Sequence, residues 1–170
     1  MLIIKSRVMI FILLIMFFLI SCYLLFIKSD VDLRNTRWKC NVSHLYMSSD
    51  AYQSYDMLNE SMVYNFTSKD DFFIDSHAET VSSDDNPIIN KYEVTYTGKY
   101  SIDKDIITMQ YLDVLVRKKH VHEHINKTQE LYKGISISYY LSRENSTLYL
   151  SGTENNESGE LYNHVCYLIS

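Results

Sequence analysis

The densest chemistry in the chain is the run His120-Val121-His122-Glu123-His124. On a strand the three imidazoles would share one face, because side chains alternate. On a helix His120 and His124 would stack at i, i+4. Either arrangement could hold Zn²⁺ with Glu123 or Glu130 nearby, since imidazole nitrogen and carboxylate oxygen are both zinc ligands. A second reading is a pH sensor. Histidine titrates at about pH 6.5, and charge gained beside Lys118 and Lys119 would add repulsion on acidification. The plain alternative is a solvated polar loop.

Enzymatic templates are missing. There is no Gly-rich phosphate loop, no Gly-x-Ser-x-Gly elbow and no His-Glu-x-x-His motif. His122-Glu123 continues as His124-Ile125-Asn126, which breaks the zincin pattern. The acidic pairs Asp70-Asp71 and Asp84-Asp85 sit where turns are expected and read as solvated charge. The expectation is a protein that is not an enzyme, with no catalytic residues and no cofactor. A net charge of −5 argues against direct nucleic-acid binding.

Aromatic side chains are the other resource. Fifteen tyrosines and Trp38 can pack a core or line a ligand cavity when inward, and meet a partner when outward. Trp38, Tyr96, Tyr139 and Tyr140 are the candidate contacts. Tyr139-Tyr140 must send one ring to each face of any strand that carries them. Six Asn-x-Ser/Thr sequons, at Asn41, Asn59, Asn65, Asn126, Asn145 and Asn156, would carry glycans in a eukaryotic or viral membrane protein and be silent in a bacterium.

The elements that position these groups are strands. Trp38, Cys40 and Val42 alternate with polar neighbours, as do Met62, Tyr64 and Phe66, then Tyr92, Val94 and Tyr96, and Ile135, Ile137, Tyr139 and Leu141. The pattern predicts eight strands, over 36–46, 60–67, 70–78, 91–101, 105–116, 134–142, 146–151 and 161–169. Ser68-Lys69-Asp70, Ile102–Asp105 and Arg143–Ser146 read as tight turns. The stretches 82–87, which includes Pro87, and 152–159 read as polar loops. The polar stretch 117–133 reads as a short helix or a long loop. Mainly β architecture follows: a small antiparallel barrel of about eight strands, with a two-sheet sandwich as the alternative.

Val8–Ile27 is apolar throughout, with no charge, Pro or Gly. Twenty residues at about 1.5 Å each span a bilayer core. Lys5 and Arg7 precede the run, so the positive-inside rule places residues 1–7 in the cytoplasm and the rest outside. Leu19-Ile20-Ser21-Cys22 looks like a lipobox, which would make Cys22 a lipidated residue, and a cleaved signal peptide is a further alternative. The five apolar residues after Cys22 favour an uncleaved transmembrane helix over 8–27. A linker over 28–35 and a domain over 36–170 follow it. Outside the cytoplasm Cys40 and Cys166 are expected to form a disulfide, the alternative being two buried thiols. Barrel closure and this bond support each other, since closure sets the first strand beside the last.

An N-terminal anchor followed by Arg37-Trp38-Lys39-Cys40, then Gly98-Lys99-Tyr100-Ser101-Ile102, Asp105-Ile106-Ile107-Thr108-Met109 and a last strand with Cys166 resembles the ToxS-type accessory proteins of enteric bacteria. The chain is most similar to the PsaF/MyfF group of fimbrial regulators, with FidL-like membrane proteins as a related possibility. The resemblance implies a lipocalin-like periplasmic barrel on an inner-membrane anchor. It implies a ToxR-like partner with a cytoplasmic winged-helix domain, whose periplasmic domain the barrel binds and stabilises in response to host signals. Two other functions fit the residues. One is a carrier of a small hydrophobic ligand such as a bile salt or fatty acid. The other is a viral or eukaryotic type II membrane glycoprotein.

Overall fold

The structure is a computed structural model and describes residues 15–18, 31–44, 52, 55–82, 88–153 and 163–170. It divides into two units, 1–30 and 31–170. Of the apolar segment 8–27 only Ile15–Phe18 is described, and it is helical. No helix among the described residues is long and apolar enough to cross a membrane. The expected cytoplasmic tail, Cys22, residues 83–87 around Pro87, most of the loop after Gly152 and the sequon at Asn156 lie outside the described residues.

The second unit is a closed eight-stranded meander. Its strands are β1 Thr36–His44, β2 Tyr55–Phe66, β3 Asp71–Ser82, β4 Ile89–Asp103, β5 Ile106–Lys118, β6 Ser136–Glu144, β7 Thr147–Gly152 and β8 Asn163–Leu168, with one helix, α1 Glu123–Glu130, between β5 and β6. Every neighbouring pair is antiparallel, and β8 returns to pair with β1. This closure excludes the sandwich. Several strands outrun their expected bounds: β2 begins five residues before 60, and β3 runs on to Ser82. Their added residues, 55–59 and 79–82, include Asp56, Asn59, Glu79, Thr80 and Ser82, polar enough to hide the alternation. Residues 31–35, expected as linker, belong to the barrel unit, with Leu33 only 1% exposed.

Alternation fixes what faces inward. Trp38, Tyr64, Ile74 and Tyr96 form one register row across β1 to β4, and all four are buried. Rings fill the end of the barrel near the chain ends: Phe66 meets Tyr100 at 4.9 Å between centroids, and Phe72 meets Tyr111 at 5.5 Å. Arg143 lies over Trp38 at 5.2 Å and donates to the Asp32 carbonyl, tying residues 31–35 to β6. Gly98 sits at a β4–β5 bulge, where a Cβ would lie 2.0 Å from the Gln110 carbonyl oxygen and 2.9 Å from the Phe72 ring. Only hydrogen fits there, which explains the glycine within an otherwise bulky strand.

The two closing seams are short. β1 pairs with β8 over Trp38–Cys40, and β5 pairs with β6 over Ile106–Gln110. Strands β2 to β5 run on past both, so the sheet there would leave its inner face open. The connection through α1 covers it, burying Ile125, Asn126 and Gln129.

Cys40 and Cys166 face each other in the β1–β8 seam and are bonded, with Cα atoms 4.2 Å apart and a sequence separation of 126. Replacing both by alanine removes a cross-link whose chain-entropy value is about 4–5 kcal/mol. A fall of that size in the unfolding free energy from urea titration is expected, and reduction of the native chain should reproduce it; an unchanged midpoint would show that the seam holds without the bond. Gly98→Ala is expected to cost about 3 kcal/mol in the same assay through overpacking.

Candidate functional site

The histidine run begins where β5 ends. His120 lies two residues past the end of β5, His122 is the N-cap of α1, and His124 lies in its first turn. The three are therefore neither on one strand face nor paired at i, i+4 within one helix. Among the described residues no group of three or more His, Cys, Asp or Glu side chains could hold a metal ion, so the zinc reading is not carried forward.

His120 is 3% exposed and fully engaged. Its Nε2 lies 2.9 Å from the Thr80 hydroxyl of β3, and its Nδ1 accepts the His122 backbone N–H at 3.0 Å. An Nδ1 that accepts carries no proton, so the ring is the neutral Nε2–H form and donates to Thr80. The rings of Tyr55 and Tyr92 meet it edge-on, each at 5.7 Å. His122 lies on its other side at 5.6 Å, and His124 stacks on His122 at 5.7 Å. Asn126 grips the same residue through its backbone, accepting the His120 N–H at 2.8 Å and donating to its carbonyl at 3.0 Å. Asn126 also donates to Glu123 at 3.3 Å.

One turn further along α1, Gln129 enters the barrel. Its amide nitrogen donates to the Tyr52 hydroxyl at 2.6 Å, its carbonyl accepts the Tyr96 hydroxyl, and Tyr52 and Tyr92 hydroxyls share a bond of 3.0 Å. Glu60, inward on β2, accepts the Ser76 hydroxyl at 2.5 Å. Burial first, then Tyr52 for Tyr92 and the charge of Glu60 for Tyr96, push both phenols well above their ordinary range. These hydroxyls stay protonated and act as donors and acceptors only.

Of the aromatic candidates, Trp38, Tyr96 and Tyr139 are interior side chains. Trp38 donates its indole N–H to Thr36 at 2.8 Å, and Tyr139 packs 5.8 Å from His164. Tyr139 and Tyr140 part as alternation requires, at 2% and 54% exposure. Thr80, Asn126, Gln129 and Glu60 were not anticipated. Glu60 alone had a signal, since it shares parity with Leu58, Met62 and Tyr64. Asn65 and Asn126, two of the sequon residues, are buried and hydrogen-bonded, while Asn41 and Asn145 are exposed.

The outer wall has two characters. Strands β3 to β5 carry ion pairs: Lys91–Glu79 at 2.6 Å, Lys99–Asp71 at 2.8 Å, Arg117–Asp75 at 3.4 Å, with His77 3.7 Å from Glu93. Strands β6 to β8 present Tyr140, Tyr149, Val165 and Tyr167 to solvent, whereas the exposed Ile89, Leu112 and Leu115 of β4 and β5 stand among charged neighbours.

Burial, and then the neighbouring His122, hold the His120 pKa below its ordinary value of 6.5. A depressed histidine stabilises the fold fully above the unfolded value of about 6.5, and that contribution is lost as pH falls through the lower folded value. Protonation would also place a hydrogen on Nδ1 against the His122 N–H. Thermal unfolding followed between pH 7.5 and 4.5 should show a fall below about pH 6.5 that His120→Asn flattens. The same slope in both proteins would remove His120 from the acid response.

No family model matches this chain and no curated protein is similar to it, so what its surfaces and its buried network do is read from their chemistry alone.

Proposed function

We propose that the chain is an accessory protein of the bacterial inner membrane. In this reading the apolar segment 8–27 anchors it, and the lipocalin-like barrel lies in the periplasm. There it binds and stabilises the periplasmic domain of a ToxR-like membrane-bound activator, which supports signal-dependent expression of virulence or fimbrial genes. The resemblance in layout, from the anchor through Trp38-Lys39-Cys40 to Cys166, points to this partner class.

The observation that carries the reading is Tyr140 with Tyr149 and Tyr167: rings stood outward on the wall of a barrel whose own core already uses many aromatic residues. Exposed tyrosines are a common currency of protein interfaces, because each offers a large apolar area with a polar tip. Inside the barrel, the hydroxyls of Tyr52, Tyr92 and Tyr96 bond to one another or to Gln129, which weighs against a ligand held by them. Buried Asn65 and Asn126 weigh against the glycoprotein reading at two of its six sequons.

The test uses the full chain in its native membrane. A C-terminal tag, crosslinking in intact cells and mass spectrometry should recover a winged-helix protein with one transmembrane segment. That regulator's lifetime should shorten when the chain is deleted. Recovery of envelope lipids or small molecules alone would end the regulator reading and move the barrel to the ligand carriers.

A further inference from the structure

The interaction reading leaves open where the partner binds and what it must look like, and the inference here rests on that reading. We propose that the outer wall formed by β6, β7, β8 and β1 is the docking face, and that it takes a protein surface with an apolar centre and an acidic rim.

Register assembles the centre. Tyr149 lies opposite Val165, and Tyr167 lies opposite Thr147 on one side and Lys39 on the other. Tyr140 lies opposite Ser151, and Ser142 opposite Tyr149. The rings thus stand among small serine and threonine side chains and project beyond them. Rigid rings with low neighbours are the shape of an interface anchor, since they enter a partner's pocket at little entropic cost.

Charge defines the rim. The described outward residues of these four strands include two cations, Arg37 and Lys39, and no carboxylate except Glu144 at the β6–β7 turn. That is unusual in a chain of net charge −5. The acidic residues of β3 to β5 meet their own lysines and arginines, which is how a solvated wall satisfies itself. Among the described residues Lys39 has no ion pair, and the Arg37 side chain donates to the neutral Asn65 carbonyl at 2.7 Å rather than to a carboxylate. Carboxylates from outside are the complement that this wall lacks.

Two other occupants fit less well. A two-fold contact between copies would bring the same patch onto itself, with Glu144 the one described carboxylate on each copy to meet Arg37 and Lys39. An anionic membrane is held by clusters of roughly four to eight cations, and this wall has two.

The test places a photo-crosslinking phenylalanine derivative at Tyr149, at Tyr167 and, as a control on the ion-paired wall, at the exposed Thr97, in the full-length membrane-bound chain in its native host. The expected result is an adduct with one protein from positions 149 and 167, about tenfold stronger than from 97. Lys39→Glu should cut that yield several-fold, Lys39→Arg should preserve it, and raised salt should lower it. Equal yield from Lys39→Glu would overturn the acidic rim. An adduct from 97 with none from 149 or 167 would overturn the face while leaving the accessory role in place. So would the absence of adducts where the tagged chain still recovers its regulator. A crosslinked dimer of the chain, or adducts with lipid alone, would overturn the occupant. Failure to recover any protein by crosslink or by tag would instead sink the accessory role itself.

Discussion

Three residue pairs close this barrel: Trp38 with Leu168, Lys39 with Tyr167 and Cys40 with Cys166. Every other pairing joins strands consecutive in sequence. The β1–β8 seam alone must bring together the two ends of the domain. Closing so long a loop is entropically costly, and three backbone pairings repay little of it. The disulfide at the third pair removes much of that cost from the unfolded chain. Trp38, beside it in β1, adds a large buried ring held by Thr36 and covered by Arg143. The inner and outer faces of all eight strands have meaning only once this seam is shut.

Short seams have a second consequence. Where β2 to β5 outrun their partners, the inner face needs a cover, and α1 supplies it. Yet α1 is eight residues long, and two of its three buried side chains, Asn126 and Gln129, are polar. It has no side-chain cap, although Glu123 in its first turn suits the helix dipole. A helix this short does not hold itself together in water. Its position depends on hydrogen bonds: Asn126 to the His120 backbone, Gln129 to Tyr52 and Tyr96, and His120 to Thr80. Such bonds contribute about 1 kcal/mol each and fail together when one buried partner changes charge. One clasp of this cover, His120, is an imidazole, so acid acts on the cover directly.

The strands and the closure were legible because inward positions recur with a period of two, and because only two cysteines fall beyond the apolar N-terminal segment. Cys40 and Cys166 paired as compartment and topology suggested. The histidines were not legible in the same way. Their spacing fits a strand face or a helix stripe equally, and the chain uses neither: it ends β5 at Lys118, turns, and starts α1 at Glu123. What decides the fate of His120 is Thr80, forty residues earlier on another strand, and no local pattern could announce that pairing. Gln129 escaped for the same reason. A polar residue in a polar stretch gives no hint that two tyrosines from distant segments converge on it. Tyr140 was half legible: alternation required that one of two adjacent rings face outward, and only the register of β6 chose which.

The two walls of the barrel divide the labour. An ion pair at the surface contributes little to stability, and its value lies more in keeping a face soluble and unattractive to other proteins. Strands β3 to β5 are covered in such pairs, so that wall is satisfied by its own charges. The opposite wall leaves its tyrosines uncovered and its lysine without a counter-ion among the described residues. Exposing rings costs free energy in water, and nothing in the barrel's packing requires it, since serine or threonine at positions 149 and 167 would leave the inward neighbours Leu148 and Cys166 untouched. A cluster of rings that the fold does not need, set beside a lysine with no ion pair among the described residues, is where selection for binding rather than for folding is most readily read.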